Sequence, residues 1–265
     1  MKIFLSSLET YGAKEISEQC APMKWNLMSY YYLRKSDPAV IQQVIDRSEL
    51  IEIDSGAHSF QKGKKVDWDV FTDEYAQWIK ENDCDKIIGY FEMDVDNVIG
   101  YEKVLELRKK LEAVSDKIIP VWHKNRGIKE FKKMCQDYAG KIVAITGFKN
   151  EDIQDDQYIE FLKYAWKWGC ELHCLGMTRK DILNKVPFDY VDSSSWRQGV
   201  LYGRIENRRL KNPAGIPGTT KIRIQQFIAG YRRAMKMQDY YYRRWSLPSI
   251  KLKEKLKNER NPISD

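Results

Sequence analysis

The chain has 265 residues, 43% of them hydrophobic and 31% charged, which suits one large α/β domain. No run approaches the roughly 20 apolar residues of a membrane helix, and the N-terminus lacks the pattern of a signal peptide. Five scattered cysteines form no paired framework. We therefore expect a cytoplasmic protein without a membrane partner.

The net charge of +7 is unevenly distributed along the chain. Residues 197–265 carry 17 Lys and Arg against 5 Asp and Glu, a net charge of +12. Residues 1–196 carry the other 28 Lys and Arg against 33 Asp and Glu, a net charge of −5. A basic C-terminal third on a mildly acidic body is typical either of a protein that binds a polyanion or of a solvated helical surface.

Short apolar runs recur along the chain and predict parallel strands that are buried on both faces. The seven runs are Lys2–Ser7, Leu50–Ser55, Lys86–Asp94, Lys117–His123, Lys141–Phe148, Cys170–Met177 and Phe188–Ser194. An eighth strand is predicted at Val200–Ile205. Segments with helical spacing lie between the runs, at Asp67–Asn82, Tyr101–Val114, Ile128–Tyr138, Asp155–Trp168 and Thr178–Val186, and a final helix is predicted at Lys221–Tyr242.

This alternation predicts a single-domain (β/α)8 barrel over residues 1–250, followed by a charged tail at 251–265. No G-x-G-x-x-G run follows the first strand, which argues against a dinucleotide-binding fold.

Polar residues follow the predicted strands, at the end where parallel barrels carry their chemistry. They are Asp54-Ser55-Gly56, Glu92 to Asp96, His123, Thr146-Gly147, Gly176 and Asp192. A single Asp at a strand end is more often a helix cap. Three carboxylate-bearing strands, with Gly and His beside them, favour a functional site, because clustered carboxylates repel one another.

Three segments resemble the tRNA-guanine transglycosylase superfamily. The run DSGAHSFQ at 54–61 looks like the family's D-S-G-G-F-Q motif, and LGMTRKDI at 175–182 resembles its glycine-containing strand end. FDYVDS at 188–193 resembles the strand that presents the nucleophilic aspartate. Order and spacing match over 50–196, and the small chain is similar to phage-type members that act on guanine in DNA.

The resemblance implies a pentosyltransferase that exchanges guanine in DNA for a 7-deazaguanine base, in the cytoplasm of a bacterium or a phage-infected cell. It implies that Asp192 is the nucleophile that holds a covalent glycosyl intermediate, and that Asp54 is the general acid/base. Asp94 would accept hydrogen bonds from the base. The other base-pocket positions implied are Ser55, Gly56, His58, His123, Gly147 and Gly176.

The chain departs from the family's tRNA enzymes after the predicted nucleophile. Those enzymes carry a structural zinc site there, whereas no Cys or His follows Cys174 here. We therefore expect no zinc and no other cofactor, and we favour DNA over tRNA as the nucleic-acid partner. The loop before Phe60 also differs in length, and His123 replaces a more usual Gln.

Basic and aromatic residues follow the predicted nucleophile. The cations expected to bind phosphates are Arg197, Arg204, Arg208, Arg209 and Lys211. Trp196 is interpreted either as a stacking platform for a base or as a hydrophobic residue of the rim.

Other functions stay open. One is the same base exchange on tRNA. Another is a metal-dependent barrel hydrolase that uses Asp54, Asp94 and His123. A divalent cation could also be bound by Glu92, Asp94 and Asp96, because alternate residues share one face of a strand. This cation site is the less favoured interpretation. A third is a nucleic-acid-binding module without activity, against which the intact set of carboxylates argues.

Overall fold

The computed structural model describes residues 1–60, 66–146, 153–201, 204–205, 208–209 and 219–258. Its main sheet has nine parallel strands in the order β5-β4-β3-β2-β1-β9-β8-β7-β6. They are β1 (Lys2–Ser6), β2 (Met23–Ser29), β3 (Ser48–Asp54), β4 (Ile87–Phe91), β5 (Ile118–Ile119), β6 (Val121–Trp122), β7 (Ile142–Thr146), β8 (Glu171–Leu175) and β9 (Tyr190–Ser193).

The two outermost strands of this order are one strand in two parts. β5 and β6 are separated by Pro120, which has no N–H to give to a sheet. Since the order begins with β5 and ends with β6, the sheet returns to its starting strand and forms a nearly closed barrel. The predicted (β/α)8 fold is confirmed.

Helices follow most strands, as a parallel barrel requires. Two begin with aspartate caps, in which the Asp37 and Asp67 carboxylates accept hydrogen bonds from backbone N–H groups of the first turn. The helices described are α1 (Ala13–Cys20), α2 (Tyr30–Leu33), α3 (Pro38–Arg47), α4 (Trp68–Asn82), α5 (Asp96–Ile99), α6 (Tyr101–Glu112), α7 (Gly127–Asp137), α8 (Tyr158–Lys167), α9 (Lys180–Leu183), α10 (Ser195–Leu201) and α11 (Thr219–Asn258). None of the helices in the described segments is long and apolar enough to span a bilayer.

Residue contacts group the chain into two compact units. The first comprises residues 4–118 and 193–238, and Trp25 and Tyr75 are among its largest buried side chains. The second comprises residues 1–3, 119–192 and 239–265. In it the Asp189 carboxylate accepts hydrogen bonds from the Trp166 indole and the Leu172 N–H, and pairs with Lys253.

The strand β2 was not predicted, because its sequence MKWNLMS is interrupted by Lys24 and Asn26. Asn26 is nevertheless fully buried, and its amide donates to Ser48 Oγ at 2.9 Å while its carbonyl accepts from the Tyr231 hydroxyl at 2.6 Å. Partners distant in sequence therefore satisfy a side chain that looks polar and exposed in the sequence.

The predicted eighth strand at 200–205 is wrong. Residues 195–201 form helix α10, and residues 204–205 belong to a two-residue antiparallel pair, β10 (Arg204–Ile205) with β11 (Arg208–Arg209), outside the barrel. The helix forms because Trp196 and Val200 lie one turn apart and pack on α11. A Cβ added at Gly230 would meet the Trp196 carbonyl at 3.1 Å and Val200 at 3.4 Å. The predicted boundary at residue 250 stays a prediction, and helix α11 continues to Asn258.

Candidate metal centre

The predicted site residues stand at the carboxyl ends of their strands. Asp54 is the last residue of β3, Asp94 follows β4 by three residues, His123 follows β6 directly, and Asp192 lies in β9. In parallel barrels the loops at these ends carry the chemistry.

Asp94 and Asp96 bracket the turn that opens helix α5, and both are buried. His58 Nε2 lies 3.0 Å from Asp94 Oδ2, and the His58 side chain is 56% exposed whereas that of Asp94 is 6% exposed. Asp96 Oδ1 accepts a hydrogen bond from the Asn97 N–H at 3.1 Å. Two carboxylates buried so near each other favour a cation beside them, because burial and like charge both penalise the anions.

His123 completes a group with these two carboxylates. One ligand atom from each of Asp94, Asp96 and His123 lies within 4.8 Å of the other two, and all three residues are buried. Among the His, Cys, Asp and Glu residues that the structure describes, these three have ligand atoms close enough together to hold a metal ion. The expectation of no cofactor is therefore wrong.

The donor set fits a transition-metal ion. Carboxylate oxygen and imidazole nitrogen are ordinary ligands of Zn²⁺, Mn²⁺ and Fe²⁺. Ligand atoms about 2.1 Å from one Zn²⁺ lie at most ~4.2 Å apart, so the spacing of this group is close to what one ion requires. Three protein ligands leave positions open for water and substrate, as catalytic zinc sites do.

Glu92 does not belong to this group, although the sequence placed it on the same face as Asp94 and Asp96. It is fully buried, and Arg108 Nε of helix α6 donates to its Oε2 at 2.5 Å. The Arg108 side chain is itself buried. Glu92 therefore takes part in a buried ion pair that joins the end of β4 to α6.

Asp192 is held by two neighbours from the β8 region. Its Oδ1 accepts a hydrogen bond from the Gly176 N–H at 2.6 Å and lies 3.2 Å from Nε2 of the fully buried His173. The Asp192 side chain is 15% exposed. Gly176 thus supports a carboxylate. The nucleophile role came from the transglycosylase resemblance, and it depends on that resemblance alone.

The DSG motif forms a tight turn. Ser55 is fully buried and its Oγ accepts from the Ala57 N–H at 3.4 Å, and Gly56 has φ +73°. His58 follows on a 3-10 turn, Ala57–Phe60. A Cβ at Gly56 would lie 2.4 Å from Ser29 Oγ and 2.5 Å from Tyr31 Cβ. The turn that presents His58 to Asp94 therefore requires glycine.

Gly56→Ala is expected to destabilise the chain by roughly 2–4 kcal/mol, because left-handed strain and overpacking both contribute. Gly140→Ala is the matched control, since Gly140 also has a positive φ of 78°, but a Cβ added there would meet no atom within 4 Å. Urea unfolding of both variants measures the difference. If both variants lose the same free energy of unfolding, the close approach of Ser29 and Tyr31 does not exclude a side chain at position 56.

Trp196 and Arg197 are both buried, at 8% exposure each. The Trp196 indole donates to the Ser6 carbonyl at 2.9 Å and packs edge-on against Tyr231. Arg197 Nη2 donates to the Tyr11 carbonyl at 3.1 Å. Neither side chain lies on an open surface where it would meet a nucleic-acid backbone.

The remaining predicted phosphate contacts and one base-pocket position stay predictions. Arg204, Arg208 and Arg209 lie in the β10–β11 pair, and their side chains fall outside the described structure. Gly147 and Lys211 lie outside the described residues.

Glu9 is a functional candidate that the sequence analysis missed. It lies three residues beyond the end of β1 and is 6% exposed. Burial raises the pKa of its carboxyl from 4.5 to about 7, against the lowering effects of its own backbone, of Arg197 and of the Ser29 backbone, while Asp54 raises it further. Its position after a strand end was the available signal, but burial is not visible in a sequence.

The raised pKa of Glu9 predicts a pH-dependent stability. Between about pH 4.5 and 7 the folded chain retains the Glu9 proton and the unfolded chain has lost it, so the free energy of unfolding falls as the pH rises. Between pH ~5 and ~8 the free energy of unfolding of the wild type should fall by up to about 3 kcal/mol relative to that of Glu9→Gln. Urea unfolding measures this difference. Parallel pH profiles for the two proteins would contradict the assignment.

Comparison with known proteins places the chain in no family. No family model matches it, and no curated protein matches it. Among solved structures it is similar to an amidohydrolase from Burkholderia ambifaria with bound zinc, at 13% identity and a TM-score of 0.39, over 95% of this chain and 78% of that one. A likeness this low assigns no activity.

The transglycosylase expectation is corrected by these findings. None of the comparisons returned a transglycosylase, and the structure brings together Asp94, Asp96 and His123 as a group suited to a metal. Base exchange on DNA, base exchange on tRNA, and the pentosyltransferase class all rested on the motif resemblance. The arrangement of the described residues agrees better with the metal-dependent barrel hydrolase.

Proposed function

We propose that the chain is a metal-dependent hydrolase of the barrel type. The observation that carries this proposal is the buried group of Asp94, Asp96 and His123, whose ligand atoms lie within 4.8 Å of one another at strand ends. A bound ion would supply a Lewis acid and would lower the pKa of water.

The protein's own groups contribute proton handling and positioning. His58 Nε2 contacts the buried Asp94 Oδ2 while more than half of the imidazole faces solvent, so His58 holds Asp94 in place and is accessible to a substrate. Imidazole can both donate and accept a proton in catalysis. Glu9, which follows the end of β1, has a pKa that burial raises to about 7, so it is a second group that can donate or accept a proton near neutral pH.

A panel of hydrolase substrates tests the proposal. The purified chain is assayed on amide, ester and phosphoester substrates before chelation, after chelation, and after addition of Zn²⁺ or Mn²⁺. Hydrolysis that disappears on chelation and returns with metal supports the proposal. Hydrolysis that is unaffected by chelation, or absent in every metal-loaded sample, contradicts it.

We also propose that the partner or substrate is a polyanion such as nucleic acid, and that helix α11 provides the surface that binds it. The described part of this helix exposes a row of cations: Arg232, Arg233, Lys236, Arg243, Arg244, Lys251 and Lys255. Such a row attracts phosphates independently of their sequence.

Lys236→Glu with Arg243→Glu is expected to weaken binding of single-stranded DNA about tenfold or more at low salt. For the wild type, the logarithm of the binding constant should fall linearly with the logarithm of the salt concentration. The variant should show a smaller slope in the same plot. Fluorescence anisotropy measures both. Lys80→Glu, an exposed position on α4, is the control. Equal slopes in the variant and the wild type would rule out this surface.

A further inference from the structure

The exposed face of helix α11 carries large apolar side chains as well as cations. Tyr240, Leu247 and Ile250 are 55%, 67% and 53% exposed. Arg243 and Lys251 are exposed beside them. The five residues follow one another at intervals of three, four, three and one, so they lie on one side of the helix. We call these five residues the α11 row.

Contacts on the opposite side of the same helix segment hold it against neighbouring loops. The Trp245 indole donates to the Leu183 carbonyl at 2.9 Å. Lys253 Nζ donates to the Asp189 carboxylate at 2.5 Å. Tyr241 is buried on this side of the helix. All of these residues belong to one compact unit, and their contacts turn the α11 row towards solvent.

The charge around the row favours an anionic partner, but charge alone does not account for its apolar members. Residues 240–255 contain five Lys and Arg against one Glu, a net charge of +4. Single exposed apolar residues are ordinary on protein surfaces, whereas apolar residues that stand together mark interaction surfaces. The partner of the α11 row should therefore offer apolar surface as well as negative charge.

Single-stranded nucleic acid has both properties. Each nucleotide carries a negative phosphate, and its unpaired base offers a flat face on which an aromatic side chain stacks. In a duplex these faces are stacked on one another and are not available. Helices that lie on a membrane separate their apolar residues and their cations onto different faces. In the α11 row the two kinds alternate on one face, which fits a polymer in which phosphates and bases alternate.

We propose that the α11 row binds single-stranded nucleic acid. Arg243 and Lys251 pair with phosphates, and an unpaired base stacks on Tyr240. Leu247 and Ile250 provide the apolar surface for the neighbouring base. This inference rests on the proposed polyanion surface and deepens it, because it names the polymer and the side chains that distinguish this polymer from other polyanions.

The experiment compares three labelled probes by fluorescence anisotropy at low salt. They are a single-stranded oligodeoxynucleotide of mixed sequence, an abasic strand of the same length and charge, and a blunt duplex with the same number of phosphates. The full chain is used after chelation, so that metal-dependent cleavage of a probe does not interfere. We expect the wild type to bind the base-containing strand at least about tenfold more tightly than either of the other probes.

Two variants separate the contribution of the base from that of charge. Tyr240→Ala should weaken binding of the base-containing strand about tenfold and leave binding of the abasic strand unchanged, because the charge is unaltered. Arg243→Gln should weaken binding of both strands. Tyr242→Ala is the matched control, since Tyr242 is 43% exposed on the same helix but lies outside the row. Thermal unfolding establishes that each variant is folded.

Equal affinity of the wild type for the base-containing and abasic strands would overturn this inference and leave the polyanion surface intact. Tighter binding of the duplex, or unchanged binding by folded Tyr240→Ala, would also overturn it. Cosedimentation with vesicles of phosphatidylserine and phosphatidylcholine, without binding of any strand, would assign the row to a membrane instead. If neither the strands nor the vesicles bind, the surface proposed for α11 is wrong as well. The hydrolase proposal is tested separately, by metal-dependent turnover.

Discussion

Asp94→Asn is expected to lower the affinity of the chain for Zn²⁺ by at least about 100-fold, because loss of an outer-shell partner alone costs 10–100-fold. Asp94 offers one of the three ligand atoms of the candidate metal group, and its Oδ2 contacts His58. Asparagine preserves the shape of the side chain but removes the charge that the ion requires. The fold should persist, since a neutral amide is easier to bury than a carboxylate.

Isothermal titration of the chelator-treated protein measures this loss. Asp155→Asn is the control, because Asp155 pairs with Arg179 on the surface and belongs to no group suited to a metal among the described residues. We expect the control to bind as the wild type does. An Asp94→Asn protein that binds Zn²⁺ as tightly as the wild type would show that Asp94 is not a ligand.

Arg108→Met is expected to destabilise the chain by about 3–5 kcal/mol, because it leaves the fully buried Glu92 carboxylate without its charged partner. Replacing both partners, in Glu92→Leu with Arg108→Met, should restore most of this loss, since a buried ion pair and an apolar pair differ little in net stability. Urea unfolding at neutral pH measures all three proteins.

Lys103→Met is the matched control for this experiment. Lys103 pairs with Asp69 and Glu106 on the exposed side of α6, and such surface pairs contribute about 0–1 kcal/mol. If Arg108→Met costs no more than this control, the Glu92–Arg108 pair does not anchor the end of β4. The position of Asp94, two residues beyond Glu92, would then need another explanation.

Much of the barrel was predictable, because strands buried on both faces appear as continuous apolar runs. Strand β7, with the sequence IVAIT, is such a run. Strand β2 was not predictable from its pattern, since Asn26 is satisfied by Ser48 and Tyr231, which are distant in the chain. Long-range hydrogen bonds of this kind decide burial but leave no periodic signal.

The candidate site was predictable in part. The rule that polar residues at strand ends carry chemistry identified Asp94, Asp96 and His123 individually, but their approach within 4.8 Å depends on loop geometry. Glu9, three residues beyond the end of β1, offers the sequence only the same positional signal. Its burial follows from packing that the sequence does not show.

The motif resemblance illustrates a different limit. Gly56 is required by a positive φ and by contact with Ser29 and Tyr31, and Ser55 is fully buried. A tight turn after a barrel strand therefore demands these residue types for reasons of shape. The same letters arise wherever that turn is needed, so they identify the turn more reliably than the reaction.

The most direct test of the metal centre is anomalous X-ray scattering from crystals of the zinc-loaded chain. We predict one strong peak at the zinc edge, about 2.0–2.2 Å from ligand atoms of Asp94, Asp96 and His123. A peak bound by other residues, or the absence of any ordered zinc, would contradict the proposed hydrolase site.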